Sequence, residues 1–300
     1  MTKIYLVKYM APIIVLCTIG LISCKEKNAK KVAVKEDTTA THLREALTFY
    51  ASFDTGVNAD FAVGDSLMYT VPNRNARDSA RAGLHKPDIS RQAGKGKYGY
   101  GLQFTERSKG YIYYPSTGNI AYSKENWNGA ISFWLSLDPA TDLEPGYCDP
   151  IQITDVSYND AAIWVDFTKD NPRDFRLGVI GDRNSWNPEG LEEEDDLFLP
   201  QLAAVNNPPF ATGKWTHILI NFSGLNTEKG EASLYMNGEL KGSRSDITDP
   251  FNWELDQSNI YIGLSYIGLM DDLSLYNRKL TENEIKALYA LENGVQTILE

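Results

Sequence analysis

Basic residues are in the minority in this sequence. Lysine and arginine total 29 against 40 aspartates and glutamates, and the formal net charge is −11. An acidic surface repels a phosphate backbone, so we do not expect nucleic acid as a partner. Disorder is also excluded, because 42% of the residues are hydrophobic and 23% are charged. That balance is typical of a chain that folds.

The sequence also lacks an apolar run long enough to cross a bilayer as a helix. Its N-terminal run, Ala11 to Ile22, has about a dozen residues, whereas a transmembrane helix needs roughly 20. Lys3 and Lys8 precede the run, which is the arrangement of a secretory signal. We therefore predict that residues 1–23 are a signal peptide that is removed.

The apolar run closes with a short motif. Residues 21–24 read Leu-Ile-Ser-Cys and resemble the lipobox of bacterial lipoproteins. The resemblance implies that Cys24 carries lipid and that the mature protein is anchored in the cell envelope, at the outer membrane. A plain secretory signal with an incidental cysteine is the alternative. The charged residues that follow show no apolar periodicity, so residues 24–46 are predicted to be the lipidated cysteine and a flexible tether.

Cysteine is scarce as well. Of the three in the chain, Cys17 lies in the predicted signal peptide and Cys24 at the lipid site, so Cys148 is left as the only thiol. This excludes an intramolecular disulfide. No base stands beside Cys148, and Asp149 would raise a thiol pKa. We interpret Cys148 as a structural residue rather than a nucleophile.

The body of the chain has the pattern of an all-β domain. From residue 47 onward, short stretches rich in β-branched and aromatic residues alternate with clusters of Gly, Pro, Asn and Asp. Ten stretches predict strands: Leu47 to Phe53, Tyr100 to Phe104, Tyr111 to Tyr114, Ala130 to Leu137, Ala161 to Phe167, Phe175 to Ile180, Trp215 to Phe222, Ala232 to Met236, Ile260 to Ile262 and Leu273 to Tyr276. So many strands with few helices indicate a sandwich or a barrel.

Alternation predicts which side chains of a strand are buried. Ile131, Phe133 and Leu135 fall on one face of their strand, whereas Ser132 and Trp134 fall on the other. Three further strands alternate in the same way. The pattern predicts a sheet whose apolar face packs on a second sheet, with a mixed polar and aromatic face outside.

The C-terminal region contains one well-signalled helix. Residues 281–284, Thr-Glu-Asn-Glu, form a capping box, and Ile285 and Leu288 follow at helical spacing. Gly294 is expected to end the helix and residues 295–300 to form a tail. Residues 181–209 form an acidic, Pro-rich stretch, either a functional loop or a floppy insertion.

Four segments resemble one known family. They are Gly-Ala-Ile-Ser-Phe-Trp-Leu-Ser-Leu (129–137), Lys-Trp-Thr-His-Ile (214–218), Ser-Leu-Tyr-Met-Asn-Gly (233–238) and the closing stretch 262–285 with its Met-Asp-Asp-Leu-Ser-Leu-Tyr-Asn-Arg. Together, residues 47–294 resemble the laminin G-like domains of the concanavalin A-like lectin/glucanase superfamily. The resemblance implies an all-β jelly-roll sandwich of two antiparallel sheets with a short C-terminal helix.

The resemblance also implies a structural calcium ion. Asp54 and Asp271 stand where the family often places ligands, and carboxylates are ligands that Ca²⁺ prefers. The first and last strands of a jelly roll can be neighbours, so the two side chains are expected to meet. The alternative is that Asp54 starts a turn and Asp271 is merely exposed.

The carboxylate pattern of the glucanase branch is absent. That branch carries Glu-x-Asp-x-x-Glu on one strand, because hydrolysis needs an acid and a nucleophile. The nearest match, residues 254–259, ends in Asn259. A protein that binds glycans without cleaving them is therefore the leading hypothesis. A hydrolase or lyase that uses Asp166 and His217, and an adhesion module that binds a protein, are the alternatives.

A polysaccharide or oligosaccharide ligand would need exposed aromatic rings and nearby polar groups. The mixed strand face and the long loop offer Trp134, Trp164, Asp166, Arg176, Trp186 and His217. For the tryptophans on strands the alternative is core packing. Trp186 either caps a sugar or pins the loop to the sheet.

Overall fold

A computed structural model of the protein describes residues 38–73, 77–191 and 195–300. The predicted signal peptide, Cys24 and the first part of the predicted tether lie outside the described residues. Among the helices that are described, none combines the length and the apolar character needed to cross a membrane.

The short apolar segments pair antiparallel into two sheets, whose strands are numbered in chain order. The nine-stranded sheet contains β1 (Leu47–Ala51), β2 (Phe61–Ala62), β5 (Ile89–Ala93), β6 (Tyr100–Phe104), β8 (Trp127–Ser136), β13 (Thr216–Leu225), β14 (Gly230–Met236), β15 (Glu239–Ile247) and β17 (Gly268–Tyr276). Its order is β15-β14-β13-β8-β17-β1-β2, and β6 extends it by pairing with β17 and with β5. The first and last strands are neighbours, as predicted.

The eight-stranded sheet lies against the first one. It contains β3 (Tyr69–Val71), β4 (Arg81–Ala82), β7 (Tyr111–Pro115), β9 (Cys148–Thr154), β10 (Ala162–Phe167), β11 (Phe175–Ile180), β12 (Leu202–Val205) and β16 (Asn259–Leu264). Its order is β12-β11-β10-β9-β16-β7-β3-β4. The predicted all-β sandwich of two antiparallel sheets is thereby confirmed, and each of the ten predicted strands is present.

The core lies between the two sheets. Ile131 and Phe133 of β8 meet Ile163 and Val165 of β10 in one apolar cluster, and each of these side chains is at most 1% exposed. These are the side chains that alternation assigns to the inner face, so the predicted burial is confirmed.

One central strand, β9, was missed by the sequence prediction. Ile151 and Ile153 are core residues, but Asp149 and Pro150 interrupt the apolar run. The structure accommodates this proline at an irregularity of the ladder between β9 and β10, where the register shifts. Bulges are among the few places where a sheet tolerates proline.

Three helices cover the outer face of the nine-stranded sheet: α1 (Thr38–Ala46), α4 (Glu282–Tyr289) and α5 (Gln296–Leu299). Their apolar residues pack with Leu219 and Tyr276 of the sheet into a second cluster. The prediction of a flexible tether is wrong for residues 38–46, because Leu43 and Ala46 bury one side of α1 in this cluster. The predicted tail is likewise ordered, since Ile298 of α5 is buried there.

The predicted capping box starts α4. The Thr281 side chain accepts a hydrogen bond from the Glu284 backbone, and the Glu284 carboxylate accepts one from the Thr281 backbone. Such caps stabilise a helix by roughly 1 kcal/mol. The helix ends at Tyr289 and not at Gly294, which lies four residues beyond the Ala290 C-cap.

The long stretch between β11 and β13 is largely structured. It carries two short helices, α2 (Arg183–Trp186) and α3 (Asp195–Phe198), and the edge strand β12. Phe198 is 3% exposed and packs with Trp164 and Trp186. The described part of this segment is therefore anchored on the sheet, which excludes the floppy insertion there.

Candidate functional site

A single row of side chains crosses the outer face of the eight-stranded sheet. Tyr69, Tyr113, Tyr261, Gln152 and Trp164 are successive register partners on β3, β7, β16, β9 and β10. Side chains in register on adjacent strands project to the same face of a sheet. The row is therefore four aromatic rings and one amide on the side of the sheet that faces away from the core.

Trp164 lies flat on the sheet at one end of the row. Its partner on β11 is Gly178, where a Cβ atom would lie 2.2 Å from the Trp164 Cε2 atom. Because Gly178 has no side chain, the Trp164 indole can pack flat against the backbone of β11. Phe198 covers the ring from above, with centroids 6.2 Å apart and planes 21° from parallel. Trp164 is only 2% exposed, so it closes the row rather than offering a stacking surface.

A buried ion pair stands beside Trp164. Arg176 binds the Asp166 carboxylate in two places, Nε to Oδ1 at 2.9 Å and Nη2 to Oδ2 at 2.5 Å. The two residues are register partners on β10 and β11. The Arg176 guanidinium carbon also lies 5.0 Å from the centre of the Tyr147 ring. Because each charge is compensated within the pair, both groups are held in fixed positions.

A groove with a volume of ≈ 500 Å³ lies over this part of the row. Its floor includes Tyr261, Gln152 and Trp164. Tyr147, just before β9, and Tyr158, just after it, line the groove at the two ends of that strand. The groove therefore extends along β9 as well as over the strands beside it, and its size is in the range of small-ligand sites.

One buried polar group that lines the groove has no hydrogen-bond partner among the residues the structure describes. It is the hydroxyl of Tyr111, a residue that is 6% exposed. Buried polar groups in folded proteins are almost always hydrogen-bonded. A ligand that carries hydroxyls could supply the partner that the protein does not.

Trp134 and His217, two of the predicted ligand-binding residues, lie on the other side of the sandwich. They are on β8 and β13 of the nine-stranded sheet, with ring centroids 4.9 Å apart, and Tyr289 of α4 stacks against Trp134. Their exposed fractions are 3% and 1%. The prediction that they share a surface with Trp164 is wrong, because alternation assigns the two faces of a strand but not the sheet to which the strand belongs.

The acid–base pair of the enzyme hypothesis is separated for the same reason. Asp166 is on the outer face of one sheet and His217 on the outer face of the other, with the whole core between them. Asp166 is also engaged by Arg176. Asp166 and His217 therefore cannot act on one bond.

Of the two roles considered for Trp186, capping a sugar or pinning the loop to the sheet, the structure shows the second. Its Nε1 donates a hydrogen bond to the Asn159 carbonyl at 3.1 Å, and its ring lies 5.6 Å from that of Phe198. It does not line the groove. Trp186 thus pins the long segment and supports Phe198, which closes the end of the row.

The predicted calcium ligands flank one turn. Asp54 Oδ1 accepts a hydrogen bond from the Tyr100 backbone at 2.7 Å, and Asp271 Oδ2 accepts one from the Tyr98 backbone at 2.9 Å. Gly99 between them has a φ of 65°, and a Cβ there would lie 2.2 Å from the Asp54 carboxylate. Asp271 is completely buried, so the expectation of an exposed Asp271 does not apply.

The electrostatics at this turn favour a positive charge. Burial, and to a smaller degree the adjacent Asp272, raise the pKa of Asp271 to about 9. Burial likewise raises the pKa of Asp272 to about 7, with a further contribution from Asp54. In the part of the chain that the structure describes, no three histidine, cysteine, aspartate or glutamate side chains are grouped to hold a metal ion. The donors present fit a hard cation that would take its remaining ligands from loop carbonyls.

Cys148 has no features of a nucleophile. It is 2% exposed at the start of β9, and burial together with the nearby Asp149 raises the pKa of the thiol. The thiol form is unreactive. The structural role predicted for Cys148 agrees with this environment.

The groove residues missed by sequence reasoning are mostly tyrosines of other strands. Tyr111 precedes the alternating core residues Ile112 and Tyr114, and Tyr261 stands between two core isoleucines. This alternation was a usable signal. The contribution of Tyr147 was not foreseeable, because it depends on how its loop folds over the sheet.

The chain belongs to the concanavalin A-like lectin/glucanases superfamily. A laminin G-type family model of that superfamily matches residues 106–286. No curated protein sequence matches the chain.

Solved structures of low identity share the fold. Domain 4 of an extracellular arabinanase from Geobacillus stearothermophilus, solved in complex with arabinotriose, is 16% identical with a TM-score of 0.50, over 82% of this chain and 98% of that one. The binding domain of botulinum neurotoxin serotype D is 14% identical with a TM-score of 0.53, over 84% of this chain and 52% of that one. The same neurotoxin domain was also solved in complex with N-acetylneuraminic acid, with a TM-score of 0.51 at 13% identity and the same coverage. The chain thus spans about half of the neurotoxin domains.

We predict that His217 makes the fold sensitive to acid. Burial lowers the pKa of His217 to about 3, so the folded protein stays unprotonated there while the unfolded chain takes up a proton below about pH 6.5. Above pH 6.5 the neutral His217 does not reduce the free energy of unfolding. As the pH falls from 6.5 toward 3, the free energy of unfolding decreases by about 1.4 kcal/mol per pH unit. Urea unfolding between pH 7 and pH 4 should show a steeper loss for the wild type than for His217→Gln.

The exposed His85 provides the control for that experiment. His85→Gln should follow the wild-type pH dependence. Parallel stability curves for the wild type and His217→Gln would show that His217 is not buried in its neutral form.

Proposed function

We propose that the protein is a lectin-like lipoprotein that binds a polysaccharide or oligosaccharide in the groove of the eight-stranded sheet and does not cleave it. The observation that carries this proposal is the buried, unpartnered hydroxyl of Tyr111 in a groove that is also lined by the rings of Tyr147 and Tyr261. Sugars present hydroxyls around apolar ring faces, and they are recognised by polar groups placed next to aromatic rings.

Two further facts support a glycan as the ligand. Relatives of the fold were solved with arabinotriose and with N-acetylneuraminic acid bound. The groove also holds a fixed guanidinium and carboxylate, Arg176 and Asp166, whose remaining hydrogen-bonding capacity can bind sugar hydroxyls.

A role without catalysis is supported by the separation of Asp166 from His217, because the enzyme hypothesis required both. The adhesion hypothesis requires a protein partner whose binding is insensitive to free sugars. Competition by free sugars distinguishes a glycan partner from a protein partner.

Replacement of Tyr147 should weaken glycan binding selectively. Tyr147 is 47% exposed at the mouth of the groove, so Tyr147→Ala removes an aromatic contact without opening the core. A lost aromatic contact of about 1 kcal/mol corresponds to roughly fivefold to tenfold weaker binding. Thermal shift against arabinan, cellulose fragments, starch, mannan, pectin and sialylated glycans, followed by calorimetry on the glycan that gives a shift, measures this.

Phe61→Ala is the matched control, because Phe61 is 37% exposed on the other sheet. It should bind like the wild type. Absence of a shift with every glycan would contradict the proposal and favour a protein ligand. Release of reducing ends or unsaturated sugars from a bound glycan would show an enzyme.

We also propose that a calcium ion binds at the 98–100 turn through Asp54 and Asp271, as a structural rather than a catalytic ion. The two carboxylates accept hydrogen bonds from the backbone of the same turn, and Asp271 is completely buried. The ion would neutralise buried negative charge and tie the first strand to the last.

Calcium should therefore raise the melting temperature, and EDTA should lower it. At a hundredfold excess over its dissociation constant a ligand adds about 2.7 kcal/mol to the free energy of unfolding. Asp54→Asn should lose most of the calcium effect, whereas Asp256→Asn, at an exposed position, should keep it. Equal melting temperatures in calcium and in EDTA would rule out the ion.

We propose further that Cys24 carries a lipid anchor. This anchor would hold the protein at the outer membrane of a bacterial cell envelope. The full chain, expressed with its N-terminal segment in a bacterium, should fractionate with membranes and incorporate an alkyne-labelled fatty acid. Cys24→Ala should abolish both, whereas Cys17→Ala should change neither. Membrane retention of unlabelled Cys24→Ala would contradict lipidation at this residue.

A further inference from the structure

The aromatic row continues beyond the groove. Tyr113 and Tyr69 are the next register partners after Tyr261, but neither lines the groove. Their rings stack on each other with centroids 5.5 Å apart and planes 18° from parallel, and the Tyr113 ring lies 5.8 Å from that of Tyr261. Both are partly exposed, so the groove opens onto a continuous aromatic surface.

The outer rings are held in place. The Tyr69 hydroxyl donates a hydrogen bond to Asp65 Oδ2 at 2.8 Å, and the Tyr261 hydroxyl accepts one from the Asn259 amide at 3.2 Å. Rings fixed in this way lose little conformational freedom when a ligand stacks on them. The tyrosines therefore form a surface that exists before any ligand arrives.

The row is closed at one end and open at the other. Phe198 covers Trp164 on β10, whereas nothing comparable among the described residues stacks over Tyr69 on β3. Four strand intervals separate β10 from β3, which corresponds to about 19 Å. This length is several times the width of one sugar ring.

The charges that line the groove cancel. Arg107 and Arg176 stand against Asp149 and Asp166, and Arg176 is already paired with Asp166. The whole chain is acidic, with a net charge of −11. A polyanionic glycan would meet no surplus of positive charge there.

We infer that the row is one extended binding surface and that its ligand is an uncharged glycan segment of several sugar residues, with Tyr113 and Tyr69 binding the residues that extend out of the groove. This inference rests on the proposed function of the groove. It goes further in fixing the length and charge of the ligand. It assigns a role to two tyrosines outside the groove.

The test uses oligosaccharides of one to six residues derived from arabinan, cellulose, starch and mannan, with oligogalacturonides as the charged arm. For the wild type, affinity should rise about tenfold between two residues and about four, and then level off. Tyr113→Ala should abolish this rise and leave the affinity for short sugars unchanged. Tyr147→Ala should weaken all lengths equally, and Phe61→Ala none.

Tyr69→Ala provides a second variant, since Tyr69 lies near the sheet edge and Tyr113 contributes more to packing. Melting temperatures verify that both are folded. Binding that does not increase beyond two residues, or a rise that persists in both variants, would overturn the inference and leave the proposed function intact. Tighter binding of oligogalacturonides would overturn the requirement for an uncharged ligand. No binding to any probe would overturn the proposed function together with this extension.

Discussion

The packing of two apolar sheet faces against each other determines the rest of this structure. Every central strand must give alternate side chains to the shared core, as Ile131 and Phe133 do on one sheet and Ile163 and Val165 on the other. The remaining side chains are then forced onto two outer faces. What the protein can do depends on how each outer face is covered.

The two outer faces are covered differently. Helices α1, α4 and α5 cover much of the nine-stranded sheet, and Trp134 and His217 on that face are buried, in ring contact with Tyr289 of α4. On the eight-stranded sheet, Phe198 covers Trp164 at one end of the tyrosine row, and no described residue stacks in the same way over Tyr69 at the other end. Tyr69 and Tyr113 of this face are partly exposed, and the buried Tyr111 hydroxyl has no partner among the described residues. Similar residue types thus serve packing on one face and a candidate ligand site on the other.

This difference explains how much the sequence could predict. The architecture was accessible, because strand periodicity and the capping box at Thr281 are local signals and the closing motif is specific to the family. The strand β9 was not, because Pro150 interrupts its apolar run and is accommodated at an irregularity in the ladder between β9 and β10, which depends on the tertiary pairing. Of the six predicted ligand-binding residues, three line the same groove: Trp164, Asp166 and Arg176. The grouping of Trp134 and His217 with them failed because no local pattern states which sheet a strand will join.

The position of α1 has a consequence for how the protein presents itself. The described chain enters the domain at Thr38 and packs α1 against the nine-stranded sheet, on the side of the sandwich opposite the tyrosine row. A protein tethered through the chain that precedes Thr38 would be held by its closed side. The face with the tyrosine row would then point away from the surface to which the protein is attached. A polymer too large to enter the space between the domain and that surface could still reach this face.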